Sequence, residues 1–545
     1  MASNVVQGNF GGSNTNAGPP ASPPPAPPVP PPGSPASQLR YEIWRLQHHK
    51  MYKGSKTALA KGIFNFIWRQ EIETDGGTFI LTKPDKKHYF FSGTTHRLYE
   101  LSFRNDDLAG YIWYRYGLLR SEQLMKLVLE HLHAYCNMRG LEREVRRFAH
   151  WSTRAQTLYL SRYNGTCWKL DGQYIDVVNN GEGVLFLDDD GGVPCEDPTI
   201  ARSGKLLDWL VNGVQYLPTT QGGLTPDQQR LALGIWLFAV AFPDFLQAKP
   251  LLLVEGEAGS GKTTALQLIQ ATVHGRVETQ SVAKDGERDF GVQMLRSPIF
   301  LLDNHDTFVD WLQDTLCQYA TGGQWNRRKL YSDDDQTVIR PQSFIAITSR
   351  NPASFRRDDV ADRCLVIRLE RRTGFVPPSA LFTQTMDDRP ELFGEWLYYL
   401  NRIVAELRAG WAIKHAAQVA QRMADFAAIA HATGRVLGYS MDEVDDMLAA
   451  MASERDALVN ENNTFVELLD HWLANRNNML RPVTAIELNH ELDDIAKRLS
   501  VVHKMSPNAL AQRLTRGRAI RKRFVVEQPG IRGNARLYTI RRTES

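Results

Sequence analysis

The stretch that decides the fold is Leu251-Leu-Leu-Val-Glu-Gly256-Glu-Ala-Gly259-Ser-Gly261-Lys262-Thr263-Thr264. Its apolar beginning predicts a buried strand, its glycines predict a loop, and the run from Ala265 to Ile269 predicts a helix. The loop fits the pattern G-x-x-x-x-G-K-[ST], the Walker A phosphate loop. Glycine tolerates the backbone angles that let N–H groups converge on phosphate oxygens at a helix N-terminus. We therefore expect this stretch to bind a nucleotide.

The loop side chains predict ATP and Mg²⁺ as the cofactors. Lys262 is expected to reach the β- and γ-phosphates, and the Thr263 hydroxyl is expected to ligate Mg²⁺. The full nucleotide contact is predicted for Gly256, Glu257, Ala258, Gly259, Ser260, Gly261, Lys262, Thr263 and Thr264. The competing interpretation is a glycine-rich turn before an ordinary helix, but the buried strand and the helix on either side favour the phosphate loop.

A second apolar run, Ser297-Pro-Ile-Phe-Leu-Leu-Asp303-Asn304, predicts a strand that ends in a carboxylate about 40 residues after the loop. An aspartate in this place is expected beside Mg²⁺, so Asp303 joins Thr263 in the predicted metal site. Asp306 follows closely. It is a candidate catalytic base, and it could equally cap the next helix.

Length and composition predict a multidomain protein. The chain has 545 residues, too many for one typical core, and its net charge of +3 is too small to indicate a partner. The longest apolar run, Leu233 to Phe242, is about half of what a membrane span needs, and no signal segment is recognisable. The five cysteines form no C-x-x-C pair, so neither a zinc site nor a disulfide framework is indicated. We expect a cytoplasmic protein with no membrane partner.

Further motifs follow the Asp303 strand in a fixed order. Thr-Gly322-Gly323 leads into a basic run, Arg327-Arg328-Lys329, and the acidic residues 333–335 then predict the tip of a hairpin. An apolar strand ends in Thr348-Ser349-Arg-Asn-Pro, and Ala-Asp-Arg363 precedes a last apolar strand.

This order of motifs resembles the AAA+ ATPases, and within them it is most similar to the superfamily-three helicases of viruses, phages, plasmids and integrative mobile elements. The resemblance covers about residues 206–375. It implies a hexameric ring that holds single-stranded DNA in its channel, with ATP sites between subunits. The resemblance is incomplete at Asn304, because the family usually has a glutamate there that orients the attacking water. The base could therefore be Asp306, Glu257 or Glu287.

The resemblance also implies roles for individual residues. Ser349, or its neighbours Thr348 and Asn351, corresponds to the sensor-one polar group. Arg363 corresponds to the arginine finger that acts on the neighbouring subunit, although a local salt bridge with Asp358 or Asp362 is an alternative. Arg327, Arg328 and Lys329 correspond to the hairpin that holds DNA in the channel.

The fold class predicted is multidomain α/β: a P-loop AAA+ core with a helical lid, an α+β N-terminal domain and a C-terminal winged helix. The expected boundaries are a proline-rich disordered tail at 1–38, an accessory domain at 39–205, a helical collar at 206–245, the ATPase core at 246–375, a helical lid or linker at 376–475 and the winged helix at 476–545. Thr225-Pro-Asp-Gln228 predicts the capped start of a helix in the collar. The strands expected in the accessory domain are Gly77–Leu81, His88–Phe91, Thr157–Ser161, Cys167–Leu170 and Gly183–Phe186.

The last segment predicts helix, helix and hairpin. Thr484-Ala-Ile-Glu487 is a capping box, and Ser506-Pro507 starts a second helix. Residues 501–545 hold 11 Lys and Arg against 2 Glu. This arrangement favours duplex DNA, with Arg513, Arg516 and Arg532 as predicted contacts. A winged helix used only for protein contacts is the alternative.

Two functions remain in competition at this level. The first is an ATP-dependent DNA helicase that replicates a phage, plasmid or mobile element. The second is a DNA-binding nucleotide switch without motor activity, an alternative that Asn304 keeps open. A primase-helicase would need a polymerase-type set of carboxylates, and none is recognisable in residues 39–205.

Overall fold

The computed structural model contains two compact units. It describes residues 34–49, 55–82, 86–120, 123–188, 191–218, 223–280, 286–294, 297–306, 309–322, 325–328, 336–339, 342–350, 358–374, 376–417, 423–461, 464–499, 505–516, 520 and 523–543. The first unit comprises described residues within 34–76 and 100–138, and the second comprises those within 77–99 and 139–543. The predicted tail therefore lies outside the described residues, apart from its last few positions.

The first unit is helical. Its elements are α1 (Pro35–His48), α2 (Lys56–Trp68) with a π-helical turn (Arg69–Thr74), α3 (Asp106–Tyr116) and α4 (Gln123–Arg139). Glu71 is buried and accepts hydrogen bonds from the hydroxyls of Tyr111 and Tyr116, while Arg115 lies 2.8 Å away. Burial raises the pKa of Glu71, and the two tyrosines and Arg115 oppose that rise. These partners compensate the cost of burying a carboxylate.

Two small sheets open the second unit. The first contains β1 (Thr78–Thr82), β2 (His88–Phe91), β3 (Leu98–Glu100) and β4 (Leu141–Arg143) in the order β3-β2-β1-β4. The second is an antiparallel meander of β5 (Ala149–Ser152), β6 (Thr157–Ser161), β7 (Thr166–Leu170) and β8 (Ile175–Asn179). Because β1 pairs with β4 across the α3–α4 segment, the predicted accessory domain 39–205 is divided between the two units.

Four of the five strands expected in this region are confirmed within one residue at their ends. The strand expected at Gly183–Phe186 is wrong: Phe186 forms only an isolated bridge with Arg146, and the last strand of the meander is β8. Gly181 and Gly183 have left-handed backbone angles, and the Gly181 N–H bonds to the Val184 carbonyl. Such angles belong to a turn and interrupt a ladder.

The central element of the second unit is a five-stranded parallel sheet. It follows α5 (Lys205–Leu207), a π-helical turn (Asp208–Asn212) and α6 (Pro226–Ala239). The segment that builds it contains β9 (Leu251–Gly256), α7 (Lys262–His274), β10 (Thr279–Gln280), α8 (Glu287–Met294), β11 (Ile299–Leu302), α9 (Asp310–Ala320), β12 (Trp325–Arg328), β13 (Gln336–Ile339), β14 (Phe344–Ser349), α10 (Asp358–Ala361) and β15 (Cys364–Leu369). The strand order of the sheet is β10-β11-β14-β9-β15, whereas β12 and β13 pair with each other in a separate antiparallel sheet. The strand, loop and helix predicted around 251–269 are confirmed.

Both faces of this sheet are covered, as expected for parallel strands with helical crossovers. Along β9, Leu252 and Val254 enter one hydrophobic core, whereas Leu251 and Leu253 enter the other. Helix α6 lies in the first core, and its residues 231–239 are all buried. The Thr225 capping box predicted at its start is present.

Helices dominate the rest of the chain. They are α11 (Pro378–Asp387), α12 (Arg389–Arg408), α13 (Trp411–Ala416), α14 (Ala424–Leu437), α15 (Met441–Glu461) and α16 (Thr464–Ala474). A terminal group adds a 3₁₀ turn (Arg476–Asn478), β16 (Val483–Thr484), α17 (Ala485–Arg498), α18 (Pro507–Arg516), β17 (Phe524–Arg532) and β18 (Ala535–Arg542), with strands in the order β16-β18-β17. The Thr484 capping box is confirmed. Among the described residues, no helix is both long and apolar enough to cross a membrane.

A buried lysine, Lys249, lies two residues before β9. Only 6% of the surface of this residue is accessible to solvent. Burial lowers its pKa from 10.5 to about 8, although nearby Asp244 favours the charged form. The fold therefore bears a cost whenever this amine is protonated.

We expect Lys249→Met to raise the free energy of unfolding near pH 7 by roughly 3 kcal/mol, at 1.36 kcal/mol per pKa unit. Since the pKa is lower in the folded state than in the unfolded state, wild-type stability should rise between pH 8 and 10.5, and the cost is fully present below pH 8. Thermal unfolding midpoints across this range measure the effect, with exposed Lys126→Met as the control. Parallel pH curves for wild type and Lys249→Met would contradict the prediction.

Candidate nucleotide site

The carboxyl ends of three neighbouring strands meet at one edge of the central sheet. Strand β9 leads through α7 to the β10 side, whereas β14 leads through α10 to β15 on the opposite side. The connections that leave β9 and β14 therefore lead towards opposite sides of the sheet. Ligands of open α/β sheets bind in the crevice at such a point. The predicted phosphate loop follows β9, Asp303 follows β11 and Ser349 ends β14, so all three lie at this edge.

The backbone of the loop after β9 depends on its glycines. Gly259 and Gly261 have φ angles of 83° and 82°, which side chains oppose. A Cβ atom on Gly256 would lie 2.6 Å from the Leu369 carbonyl oxygen. The loop consequently passes close to β15 and turns directly into α7, whose N-terminal residue is Lys262.

The Lys262 ammonium lies over this loop. It donates to the carbonyl of Glu257 at 2.9 Å and to that of Gly256 at 2.5 Å. Burial lowers the pKa of Lys262, and Asp306 is the strongest of the nearby carboxylates that oppose this change. The ammonium therefore lies among loop carbonyls at the start of a helix, where an anion is favoured.

Asp303 is the centre of a hydrogen-bond chain that joins three elements. Its Oδ1 accepts from the hydroxyl of Thr263, 2.5 Å away on α7, and from the hydroxyl of Thr348, 2.7 Å away on β14. The Thr348 hydroxyl in turn accepts from the N–H of Asn304 at 2.8 Å. The two residues predicted to hold Mg²⁺ are thus brought together, and Thr348 orients the carboxylate.

These residues fit ATP and Mg²⁺. A carboxylate and a hydroxyl are the hard oxygen ligands that Mg²⁺ takes from proteins, which leave its other positions to water and phosphate. The loop at the start of α7 offers N–H groups, and Lys262 offers a positive charge. Thr263 and Asp303 would hold the ion, and the loop with Lys262 would hold the phosphates.

Asn304 has a backbone conformation that explains its residue type. Its φ is 51°, in the left-handed region, and asparagine is among the few non-glycine residues that adopt this region readily. The side chain is exposed. The glutamate that the superfamily-three helicases usually have at this position would be strained here. The backbone conformation therefore favours asparagine.

Asp306 is held at the end of β14. Its Oδ1 accepts from the Ser349 hydroxyl at 2.9 Å and from the Arg350 N–H at 2.7 Å, and its Oδ2 lies 3.3 Å from Arg350 Nε. The residue at the N-cap of α9 is Val309, so the interpretation of Asp306 as the cap of that helix is wrong. Asp306 is instead a fixed carboxylate near Lys262.

If Asp306 orients the attacking water, Asp306→Asn should lower the rate of ATP hydrolysis about 10²-fold and leave ATP affinity unchanged. The asparagine keeps the size of the side chain and one acceptor. Phosphate release at saturating ATP and binding of a fluorescent ATP analogue measure the two quantities. Ser349→Ala is a second test variant, because Ser349 donates a hydrogen bond to Asp306 and is itself the predicted sensor-one residue, and exposed Asp446→Asn is the control. Hydrolysis by Asp306→Asn within two-fold of wild type would contradict the prediction.

A cleft beside the loop contains residues that sequence reasoning missed. It is lined by Trp209, Leu210, Gly213, Val214, Ser260, Gly261, Thr264, Ala265, Leu268, Arg372 and Leu381. Arg372 follows β15, and its guanidinium donates to the Gly213 carbonyl. The indole of Trp209 donates to Thr385 at 2.9 Å. No local pattern marks these residues, because they come from segments on both sides of the loop in sequence.

Arg363 lies at the opposite edge of the sheet from the loop. It immediately precedes β15, whose first residue Cys364 pairs with Leu251, the first residue of β9. Gly256 lies five residues further along β9, or about 17 Å at the usual rise of a strand. The described contact of the Arg363 guanidinium is with the Asp359 carbonyl. Within one subunit, Arg363 is therefore remote from the phosphate loop.

The predicted DNA contacts are distributed over two hairpins and a helix. Arg327 and Arg328 lie on β12, which pairs with β13, whereas Lys329 and the acidic tip lie outside the described residues. Arg513, on α18, packs over the ring of Phe465 at 5.7 Å. Arg532, at the end of β17, pairs with Glu487 at 3.1 Å. Arg516 is the last residue of α18, and its side chain is outside the described part. Asn351 also lies outside it.

Comparisons with known proteins give one family match. Residues 224–452, from the start of α6 to α15, match the family described as "Actinomycete integrative conjugative element replication protein". No curated protein matches the chain.

Among solved structures, the chain is similar to "SCCmec type IV Cch - active helicase", with 13% identity, a TM-score of 0.47, and coverage of 85% of this chain and 92% of the other. It is also similar to the apo C-terminal region of NrS-1, with 9% identity, a TM-score of 0.40, and coverage of 86% and 97%. Over residues 224–452, this chain is therefore similar to a family of mobile-element replication proteins.

Proposed function

We propose that this protein is an ATP-dependent DNA helicase, a hexameric AAA+ motor that replicates an integrative mobile element. The observation that carries the proposal is the hydrogen-bonded group of Thr263, Asp303 and Thr348 beside Lys262, at the carboxyl ends of the parallel strands. The family match over residues 224–452 supports a role in replication. In this proposal the central sheet is the P-loop core, helices α11–α16 form the lid or linker, and residues 476–545 form a winged helix.

Each side chain then has one task in ATP hydrolysis. Lys262 stabilises the negative charge that develops on the phosphate oxygens. Thr348 holds the Asp303 carboxylate towards Thr263. Asp303 and Thr263 would hold Mg²⁺, which would supply positive charge against the phosphate oxygens. Asp306 orients the attacking water. The cleft between Trp209 and Arg372 binds the adenine ring of ATP. Arg363 acts on the site of the neighbouring subunit.

A nucleotide switch without motor activity is the second candidate. Asn304 favours the switch, because its exposed amide cannot act as a catalytic base. The helicases that this chain resembles have a carboxylate at that position. In a switch, ATP binding would change the affinity for DNA, and slow hydrolysis would reset it. The two functions share the nucleotide site and differ in whether turnover moves DNA.

Strand displacement on a forked DNA substrate separates the candidates. The full-length protein should release the labelled strand with ATP and not with a non-hydrolysable analogue, and Lys262→Ala should be inactive. Nucleotide-dependent DNA binding without displacement, on forks of either polarity, would reject the helicase and favour the switch. Absence of ATP binding would reject both.

A further inference from the structure

Three ligand-type side chains converge between helices α13, α14 and α15, in a region without an assigned chemical role. They are His415, His431 and Asp445, one from each helix. His415 Nε2 lies 3.0 Å from Asp445 Oδ2, and His431 Nε2 lies 3.2 Å from Asp445 Oδ1. Residues so far apart along the chain meet only because the three helices pack together.

Ordinary hydrogen bonds do not explain why the His431 imidazole is buried in this cluster. Its side chain has no exposed surface. Among the described residues, neither ring nitrogen has a hydrogen-bond partner, and Asp445 Oδ1 also lacks one, because the short distance between His431 and Asp445 is not accompanied by hydrogen-bond alignment. Unpartnered buried polar atoms cost free energy.

The distances between the ligand atoms of these side chains suit the binding of one shared metal ion. Two ligand atoms that lie 2.0–2.1 Å from a tetrahedral ion are about 3.3 Å apart. Each histidine nitrogen lies at about that distance from one oxygen of Asp445, at 3.0 Å from Oδ2 for His415 and at 3.2 Å from Oδ1 for His431, and one ligand atom from each of the three residues lies within 4.8 Å of the others. The imidazole rings of His415 and His431 are perpendicular, with centroids 4.5 Å apart, so they approach from different directions. A simple His415–Asp445 hydrogen bond accounts for one pair and leaves His431 unsatisfied.

We propose that His415, His431 and Asp445 bind a divalent transition-metal ion, with Zn²⁺ as the preferred ion. Two imidazoles and one carboxylate suit Zn²⁺, whereas Mg²⁺ and Ca²⁺ prefer ligands that are all oxygen. The ion clamps α13 and α14 to α15. The spacing of cysteines in the sequence could not indicate this site, because none of its three ligands is a cysteine.

The clamp acts on a helix that also contacts the central sheet. Further along α15, Arg455 donates to the Cys364 carbonyl at 2.9 Å, and Glu454 lies 3.4 Å from Arg368. Both partners lie on β15. The metal therefore holds the same helix that contacts β15, and it uses none of the residues of the candidate nucleotide site.

The test uses the full-length protein, freed of any polyhistidine tag, stripped with a chelator and equilibrated with Zn²⁺. Mass spectrometry of the metal content should find one Zn²⁺ per chain. Asp445→Asn and His415→Gln should each weaken Zn²⁺ binding about 100-fold or more, since even residues that only support a ligand contribute 10–100-fold. Asp446→Asn and His490→Gln, exposed neighbours outside the cluster, are the matched controls and should bind like wild type.

Two further measurements protect the test against a variant that fails to fold. Zn²⁺ should raise the melting temperature of wild type and of both controls, and Mg²⁺ should not do so. Co²⁺ titrated into stripped wild type should give the intense visible bands of a four-coordinate site. Wild type that retains no more Zn²⁺ than Asp445→Asn, or a Co²⁺ spectrum like that of the aqueous ion, would overturn the proposal.

Discussion

ATP hydrolysis by the Lys262→Ala protein is expected to be about 10³-fold slower than by wild type, because a positioned charge at the transferred phosphoryl group is lost. The Lys262 ammonium also binds the Gly256 and Glu257 carbonyls, so the loop loses its internal contacts as well. Phosphate release at saturating ATP measures the rate. The exposed Lys126→Ala should behave like wild type.

Binding measurements distinguish the possible causes of that loss. The melting temperature of Lys262→Ala without nucleotide should stay near that of wild type, and the rise that ATP with Mg²⁺ produces should shrink. Hydrolysis within two-fold of wild type would remove the nucleotide site from this loop. In that case the converging residues around Asp303 would be structural.

Mixing two inactive variants is expected to restore hydrolysis if Arg363 acts between subunits. Arg363→Ala should lower turnover about 10³-fold with ATP binding intact, as removal of an arginine finger does. In a ring with head-to-tail contacts, an equal mixture with Lys262→Ala places an intact loop next to an intact arginine at about a quarter of the interfaces. The mixture should therefore recover on the order of a quarter of the wild-type rate.

The geometry is the reason to expect an effect between subunits. Arg363 lies about 17 Å along the sheet from its own loop, and its described contact is the Asp359 carbonyl. Exposed Arg154→Ala is the control for a lost arginine and should show no change. If the mixture recovers nothing and Arg363→Ala melts at a lower temperature, Arg363 serves only the turn before β15. Full hydrolysis by dilute monomers would exclude a shared site.

Features with a local cause could be predicted from the sequence. The strand, loop and helix at 251–274 follow from an apolar run, glycines and helical periodicity within one short stretch. The capping boxes at Thr225 and Thr484 form among residues three apart, and both are present as expected. In each case the physical cause, a hydrogen bond or a backbone preference, lies within a few residues of its effect.

Site features that depend on strand order were only partly predictable. The sequence placed Asp303 and the Thr348–Ser349 pair at strand ends, and parallel strands of one sheet bring such ends together. It could not show that Thr348 bonds to Asp303, whereas Ser349 bonds to Asp306. Nor could it show the left-handed backbone at Asn304, because the turn there depends on contacts with β14.

The sequence by itself determined the chemistry of the nucleotide loop, because the glycines, Lys262 and Thr263 are neighbours in the chain. Only the tertiary structure decided which distant residues join them. Trp209 and Arg372 reach the cleft from segments on both sides of the loop in sequence. His431 meets His415 and Asp445 only where three helices pack. The physical reason is that periodicity and propensity specify an element and its buried face, whereas the partner of that face depends on the packing of the whole unit.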